Sequence, residues 1–446
     1  MIDSETIYAL ASAPGRAGVA VVRLSGPAAI AALARLAPGL EPRPRVAHRV
    51  RLADPATGAP LDDGLALVFA GPASFTGEDV VELHLHGSPA VLERLFTVLA
   101  GLGLKPARAG EFTRRAFANG KMDLTEAEGL ADLIEADSDS QRLQALEQMG
   151  GAWARGIAGW QARLLDALAW LEAAIDFTDE EDVPADVAAR AYGPVAAVAA
   201  EMAGLLADGR RGEIIRDGLR VAIVGPPNVG KSTLLNVLAG REAAIVSAIP
   251  GTTRDIVEVR LALDGYVVVL SDTAGLRPSD DPIEAEGVRR ARARAGEADL
   301  RVFVVAPASP DSGLRVGLET DGLAQPGDIV FRNKADLGVN AGELEGTEGL
   351  VRLTGSALTG DIGGLLEALR ARLADRGAGA GVLITRARHR EALGEAWGAL
   401  QRSLEATPDL AAEDLRLALR ALARIVGRFD VEAVLDRIFA AFCIGK

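Results

Sequence analysis

The chain has 446 residues, a formal net charge of −14 and one cysteine. Its length calls for several domains with ample core, the lone cysteine excludes an intramolecular disulfide or a cysteine-cluster metal site, and four scattered histidines offer no zinc spacing. The acidic balance argues against broad, non-specific nucleic-acid binding; the N-terminal MIDSETIYAL has no basic start or long apolar run, so no membrane span and a cytoplasmic location are expected.

Residues 1–121 alternate β-like runs at 18–24, 64–69 and 79–84 with an apolar helical pattern over 89–102, which predicts an α/β or α+β domain. From 122 to 213 long Ala/Leu/Glu-rich stretches, 125–149 and 153–175, predict part of a helix bundle. Residues 214–375 then alternate strands (219–224, 256–263, 266–271, 329–332, 351–354) with an amphipathic helix opening at Ser232. Helical pattern resumes in 376–446, at 386–405 and 410–442, so this third domain is expected to be inserted into a discontinuous helical one.

Four strings in the inserted domain carry chemistry: GPPNVGKS from Gly225, GTTRD from Gly251, DTAG from Asp272 and NKAD from Asn333. The first fits G-x-x-x-x-G-K-[ST], whose glycines leave backbone N–H groups free to cradle phosphates while Lys231 reaches the β/γ oxygens and Ser232 coordinates Mg²⁺. A strand before it and a helix after it aim the helix's positive end at those phosphates. Asp272, at a strand end, can hold Mg²⁺ through water, and Thr253 is the second hydroxyl expected on the ion. The Asp336 carboxylate can accept two hydrogen bonds from guanine's N1–H and N2–H₂ edge, which adenine lacks. The first string contributes Asn228, Val229, Gly230, Lys231, Ser232 and Thr233 to the nucleotide site. The region of the second contributes Ser247, Ala248, Ile249, Pro250, Gly251, Thr252 and Thr253, and the third Asp272, Thr273, Ala274 and Gly275. Asn333, Lys334, Ala335 and Asp336, with Ser356, Ala357 and Leu358 as the loop under the base, complete it. A P-loop GTPase domain is expected, with a mixed, mostly parallel sheet and helices on both faces.

Lysine usage adds a second argument. Of 48 basic residues only Lys105, Lys121, Lys231, Lys334 and Lys446 are lysines. Two of them lie in the nucleotide strings, and a compact ammonium is not interchangeable with a planar guanidinium, so Lys121 and Lys446 also become candidates. The residue after DTAG, where many GTPases carry a water-orienting glutamine, is Leu276. Asn228 could offer an oxygen to a monovalent cation near the β/γ-phosphates, or serve as a plain turn residue. Glu284 could reach the attacking water, or be a solvated carboxylate at a helix start. The cluster Arg386, Arg388, His389 and Arg390 reads equally as a solvated helix start or as an RNA or phosphate contact.

Over its full length the chain resembles the tRNA-modification GTPase family called MnmE or TrmE. PGRAGVAVVRLSG from Pro14, SFTGEDVVELHLHG from Ser74 and GEFTRRAFANGKMDLTEAE from Gly110 resemble that family's folate-binding domain and its junction, AAIDFTDEE from Ala173 its helical domain, and the terminal Cys443, Ile444, Gly445 and Lys446 its C-x-G-K end. The resemblance implies an N-terminal α+β folate-binding and dimerisation domain. It also implies a GTPase activated by K⁺ and by dimerisation, with Asn228, Ser247, Ile249 and Thr252 around the K⁺ and Glu284 acting on the water. It places Arg23, Glu82, Lys121 and Lys446 on 5-formyl-tetrahydrofolate, whose acidic glutamyl groups suit the cations. Cys443 matches a cysteine suspected in the chemistry, or is a small buried residue of a terminal helix. The implied partners are tRNA, a second copy in a homodimer, and an FAD-containing MnmG-type protein in a heterotetramer. The implied product is a 5-carboxymethylaminomethyl-type group on a wobble uridine. A GTP-controlled ribosome-assembly factor is the alternative, though it needs neither the folate-like block nor the C-x-G-K end.

Overall fold

The structure is a computed structural model that describes residues 5–176, 187–208, 210–226, 228–241, 244–245, 258–272, 292–293, 295–306, 323–338, 349–377, 384–428, 438–439, 442 and 445. The chain forms two units. Met1–Ala131, Gln148–Ala196 and Gly398–Lys446 make one; Asp132–Glu147 and Ala197–Trp397 make the other.

The first unit begins with β1 (Ile7–Leu10), β2 (Ala17–Ser25), α1 (Ala29–Leu36), β3 (His48–Ala53), β4 (Pro60–Phe69), β5 (Val80–Gly87), α2 (Pro89–Gly101), β6 (Lys105–Pro106) and α3 (Glu111–Ala118). Its sheet has the order β3-β4-β5-β2-β1-β6, antiparallel throughout except where β6 joins β1. Period-2 alternation puts Val22, Leu24, Val81, Leu83, Ala66 and Val68 on the face covered by Leu33 and Leu36 of α1 and Leu95 and Leu99 of α2. Arg23, Glu82 and His84 therefore share the opposite face. Strands β1, β3 and β6 are additions to the expected three: β1 and β6 show no alternation, whereas β3 (HRVRLA) alternates exposed arginines with buried Val50 and Leu52, a signal the expected strands do not include.

Five helices follow: α4 (Leu124–Glu135), α5 (Asp139–Met149), α6 (Ala152–Asp176), α7 (Ala189–Leu206) and α8 (Arg211–Asp217). The stretch 125–149, expected as one helical run, is two. Ser138 starts α5 as a capping box: its Oγ accepts the Gln141 N–H at 3.3 Å and the Gln141 Oε1 accepts the Ser138 N–H at 3.1 Å. Asp123 and Glu126 form the same device at α4.

The second unit contains β7 (Leu219–Val224), α9 (Lys231–Arg241), β8 (Ala244–Ile245), β9 (Glu258–Leu263), β10 (Tyr266–Asp272), β11 (Leu300–Val305), β12 (Ile329–Arg332), β13 (Val351–Thr354) and α10 (Gly363–Gly377). The sheet order is β13-β12-β11-β7-β10-β9-β8, parallel from β13 to β10 and antiparallel from β10 to β8. Both faces are buried. Val221 and Ile223 pack with Leu234 and Leu238 of α9 and Leu365 and Leu369 of α10, whereas Ala222 and Val224 pack with Ala295, Phe303 and Val330. The near-continuous apolar runs LRVAIV and LRVFVV are what a doubly covered parallel sheet requires.

Two further helices, α11 (Ala387–Ser403) and α12 (Pro408–Ile425), follow. Within the helical pattern expected over 410–442, α12 ends at Ile425, and residues 438–439 are helical again. Gly427 adopts φ 83° and the Arg428 N–H bonds the Ala423 carbonyl at 3.0 Å, a left-handed stop open to glycine; residues 429–437 lie outside those described.

Three members of the basic cluster at the start of α11 are committed internally. Arg386 reaches Asp132 at 2.8 Å, Arg390 reaches Glu213 at 3.1 Å, and His389 is fully buried. Asp132 also receives Arg216 at 3.0 Å and Glu213 receives Arg210 at 2.6 Å, so each carboxylate joins an arginine flanking or within α8 to one around the start of α11. The phosphate-contact reading of Arg386 and Arg390 gives way to this pairing.

Burial pushes the Glu213 carboxyl up, but hydrogen bonds from Arg210 and Arg390 outweigh it and hold the group below the usual carboxylate range. A carboxylate depressed in the folded state stabilises the fold above its unfolded value and loses that contribution as pH falls through the folded value. Glu213→Gln is therefore expected to cost about 1–3 kcal/mol at neutral pH. In thermal melts from pH 7 to pH 3, the gap from wild type should close as pH drops below about 4.3.

Candidate functional site

The parallel strands of the second unit end at one edge, and that edge carries the motifs. Ile223 pairs with Asp272, Val224 with Phe303, Val305 with Arg332, and Arg332 with Thr354. The loop after β7, Asp272 closing β10, the loop after β12 and the loop after β13 are thus levelled by register alone.

Asn333 joins three of these loops. It is 2% exposed; its side-chain amide donates to the Val229 carbonyl at 2.8 Å, and its Oδ1 accepts the Ala357 N–H at 2.8 Å. Its own N–H bonds the Val305 carbonyl at 2.8 Å, fixing it to the end of β11. Lys334, at φ 63°, turns its Nζ onto the Asn228 carbonyl at 2.8 Å. Asp336 Oδ1 accepts the Ser356 hydroxyl at 2.5 Å, which orients an otherwise exposed carboxylate. Leu358, 79% exposed, follows on the same loop.

The loop from Gly225 to Gly230 is shaped by close approach. A Cβ on Gly225 would lie 2.3 Å from the Val304 carbonyl oxygen, and one on Gly230, at φ 98°, 2.4 Å from the Asn333 amide nitrogen. Asn228 sits at φ 64°, which asparagine tolerates, with its side chain exposed. Lys231 opens α9 with its Nζ 2.9 Å from the carbonyls of Gly225 and Pro226, and Ser232 and Thr233 follow in the first turn. A cradle of backbone N–H groups, a buried ammonium and a helix N-terminus together suit phosphates, and the Ser232 hydroxyl suits a hard cation.

The structure brings together Asn228–Thr233, Asn333–Asp336 and Ser356–Leu358, with the backbone of Asp272 on the same edge. Ser247, Ala248, Ile249, Pro250, Gly251, Thr252, Thr253, Thr273, Ala274, Gly275, Glu284, Cys443 and Lys446 lie outside the described residues.

In the first unit, Arg23 and Glu82 face each other across β2 and β5, with Nη2 to Oε1 at 2.9 Å. The Arg23 guanidinium stands 5.4 Å from the ring centre of Phe75 and 5.7 Å from that of Phe112, so it is held between aromatic surfaces. Lys121 donates to the Pro72 carbonyl at 2.9 Å. Pro72 and Phe75 lie on the loop joining β4 to β5, which therefore meets both Arg23 and Lys121. Gly445 abuts β1: a Cβ there would lie 2.0 Å from the Leu10 carbonyl oxygen, so that position has no room for a side chain. The flanking Phe75 and Phe112 were not singled out in the sequence, because nothing in their local spacing links them to Arg23.

Comparison with known proteins gives the family. A family model described as the MnmE helical domain matches residues 124–443, and one described as the GTP-binding protein TrmE N-terminus matches residues 6–121. The tRNA modification GTPase MnmE of Parvibaculum lavamentivorans is 55% identical, over 99% of this chain and 100% of that protein. The chain belongs to the tRNA modification GTPase MnmE family. The proteins of the same name from Azorhizobium caulinodans and Phenylobacterium zucineum are each 53% identical, over 100% and 99% of this chain and 99% and 100% of their own lengths. Among solved structures, the G domain of the T. maritima FeoB iron transporter is 28% identical, covering 36% of this chain and 99% of its own, at a TM-score of 0.28 that is too low to bear on the fold.

Gly230→Ala should force the Asn333 amide from its place. The expected outcome is a fall in guanine-nucleotide affinity of at least about tenfold, read by titration with a fluorescent GDP analogue, together with a lower melting temperature for the variant.

Proposed function

We propose that this chain hydrolyses GTP at the sheet edge of its second unit and uses that cycle to drive modification of tRNA. The observation that carries the reading is the Asn333 bridge between the phosphate loop and the loop of Ser356 and Ala357, in a chain of this family. Lys231 holds the β/γ oxygens, the N–H groups of residues 228–233 cradle the phosphates, and Asp336, oriented by Ser356, reads the guanine edge. Ser232 and Thr253 would hold Mg²⁺, with Asp272 in reach through water. Bound Mg²⁺ would neutralise the phosphate charge that develops on cleavage.

Glu284 orients the attacking water, because Leu276 has no polar group to do so. Asn228, at φ 64° with its side chain exposed, would be the side-chain ligand for K⁺, with carbonyls of Ser247, Ile249 and Thr252; the bound cation would supply positive charge beside the β/γ-phosphates, and hydrolysis is activated when two such domains meet in a homodimer. The remainder of the nucleotide site is Ala248, Pro250, Gly251, Thr273, Ala274 and Gly275.

The first unit takes a formyl-tetrahydrofolate. Glu82 is a carboxylate able to accept from an amino-imide ring edge, Arg23 with the partly exposed Phe75 ring offers planar surface backed by the buried Phe112, and Lys121 and Lys446 suit the acidic tail. With an FAD-containing MnmG-type partner, in a heterotetramer, the folate's one-carbon unit becomes part of a 5-carboxymethylaminomethyl group on the wobble uridine, Cys443 being a candidate participant. Much of the tRNA is then held by that partner, in keeping with a chain of net charge −14. The domain limits that go with this reading are 1–121 for folate and dimerisation, 214–375 for GTP, and 122–213 with 376–446 for the helices. No described helix is long and apolar enough to cross a membrane.

Bulk tRNA from cells lacking the chain, digested and analysed by mass spectrometry, should lose the modified wobble uridine and regain it with wild type but not with Glu284→Ala. An unchanged nucleoside profile in the deletion overturns the tRNA assignment. In vitro, Asp336→Asn should shift preference from GTP toward xanthosine triphosphate by about a hundredfold or more, since the exchanged amide donates where the carboxylate accepted.

A further inference from the structure

The loop joining β4 to β5, residues 70–79, is held from beneath by a buried polar network that none of the residues proposed to bind ligand explains. Ser25, fully buried at the end of β2, lies 2.7 Å from the Thr76 hydroxyl and donates to Glu78 Oε2 at 2.7 Å. Arg115 of α3, 5% exposed, sends one nitrogen to both Glu78 oxygens at 3.1 and 3.2 Å and to the Glu5 carbonyl at 2.8 Å. Its other terminal nitrogen reaches Glu111 at 3.0 Å. Two further ties complete the arrangement: the Asn119 amide donates to the Thr76 carbonyl at 2.7 Å, and the Ser74 hydroxyl to the Glu78 carbonyl at 2.5 Å.

This is more than stability requires. Burying an arginine against two glutamates rarely gains over an apolar core of the same volume, so the network's distinguishing property is geometric. The rigid guanidinium holds Glu78 through one nitrogen and Glu111 through the other, which fixes where Glu78 sits relative to α3, while the Ser25 hydroxyl on Oε2 sets its orientation. Glu78 and Thr76 in turn fix the loop that presents the Phe75 ring to Arg23 and the Pro72 carbonyl to Lys121. Gly77, at φ 80° and with room for a Cβ only 3.0 Å from Asn119, closes the loop onto the same segment.

We propose that Arg115 and Glu78 are positioning residues of the site in the first unit. Without touching the ligand, they set loop 70–79 so that Phe75 flanks Arg23 and Pro72 restrains Lys121, preorganising the surface for a flat heteroaromatic ring with an anionic tail. The inference rests on the folate reading of that site.

The test uses the full-length protein and 5-formyl-tetrahydrofolate in calorimetric titrations. Arg115→Lys keeps the charge and loses the fork, and it should weaken binding about tenfold while GTP hydrolysis stays at the wild-type rate. Ser25→Ala, which removes the relay without stranding a charge, should weaken binding by a smaller factor and keeps the test open if the lysine variant does not fold. The decisive readout is coupling with Phe75→Ala. If Arg115 acts through the loop, the double variant loses less than the product of the two single losses, because the Phe75 arm is already gone and only the Pro72–Lys121 arm is left to disturb; losses that multiply independently overturn the inference, as does Arg115→Lys binding like wild type. Wild type that takes up no folate overturns the folate reading, and the inference with it.

Discussion

One buried amide, that of Asn333, fixes the nucleotide edge of this molecule. With a donor on the Val229 carbonyl and an acceptor for the Ala357 N–H, it makes the loop after β7 and the loop after β13 a single object. At 2% exposure neither bond can be exchanged for water, so loss of one leaves a buried polar group unpaired. Gly230 has to lack a side chain because that amide passes where a Cβ would be. The levelled strand ends from β7 to β13 bring the loops near, and Asn333 sets their spacing.

The first unit solves a related problem with different chemistry. A sheet covered on one face by α1 and α2 carries on its other face a smaller apolar cluster of Ile7 and Ala9 with Phe112, and beside it Arg23 and Glu82 neutralise one another across the central strands. The aromatic rings beside Arg23 come from a loop and from α3, so the arrangement depends on how that loop is held. Burying Arg115 and Ser25 beneath it, both bonded to its Glu78, favours one loop geometry over others, which is a gain in specificity of shape.

Charge is used in this chain mainly inside it. A protein with 62 acidic and 48 basic residues has carboxylates to spare for pairing, and Asp132 and Glu213 each take two arginines. Arginine suits this role because its fork reaches two acceptors at fixed geometry, as Arg115 does. Lysine is kept for places where a compact ammonium is wanted: Lys231 over the phosphate loop, Lys334 on the Asn228 carbonyl and Lys121 on the Pro72 carbonyl.

The sequence by itself determined the nucleotide strings, the strands and helix that carry them, the mixed, mostly parallel character of the second unit's sheet without its strand β11, and the family. Each is local: the spacing of glycine, lysine and hydroxyl is set by the geometry of one turn, and a strand buried on both faces shows as an unbroken apolar run. Two helix boundaries were also written locally, in Ser138 with Gln141 and in Gly427, and were overlooked because long Ala/Leu periodicity ran through them. Only the tertiary structure decided that Arg386 and Arg390 pair with Asp132 and Glu213, that Phe75 and Phe112 flank Arg23, and that Gly445 rests on Leu10. These partners lie tens to hundreds of residues apart, and their meeting depends on strand register and helix docking, which no short window of sequence encodes.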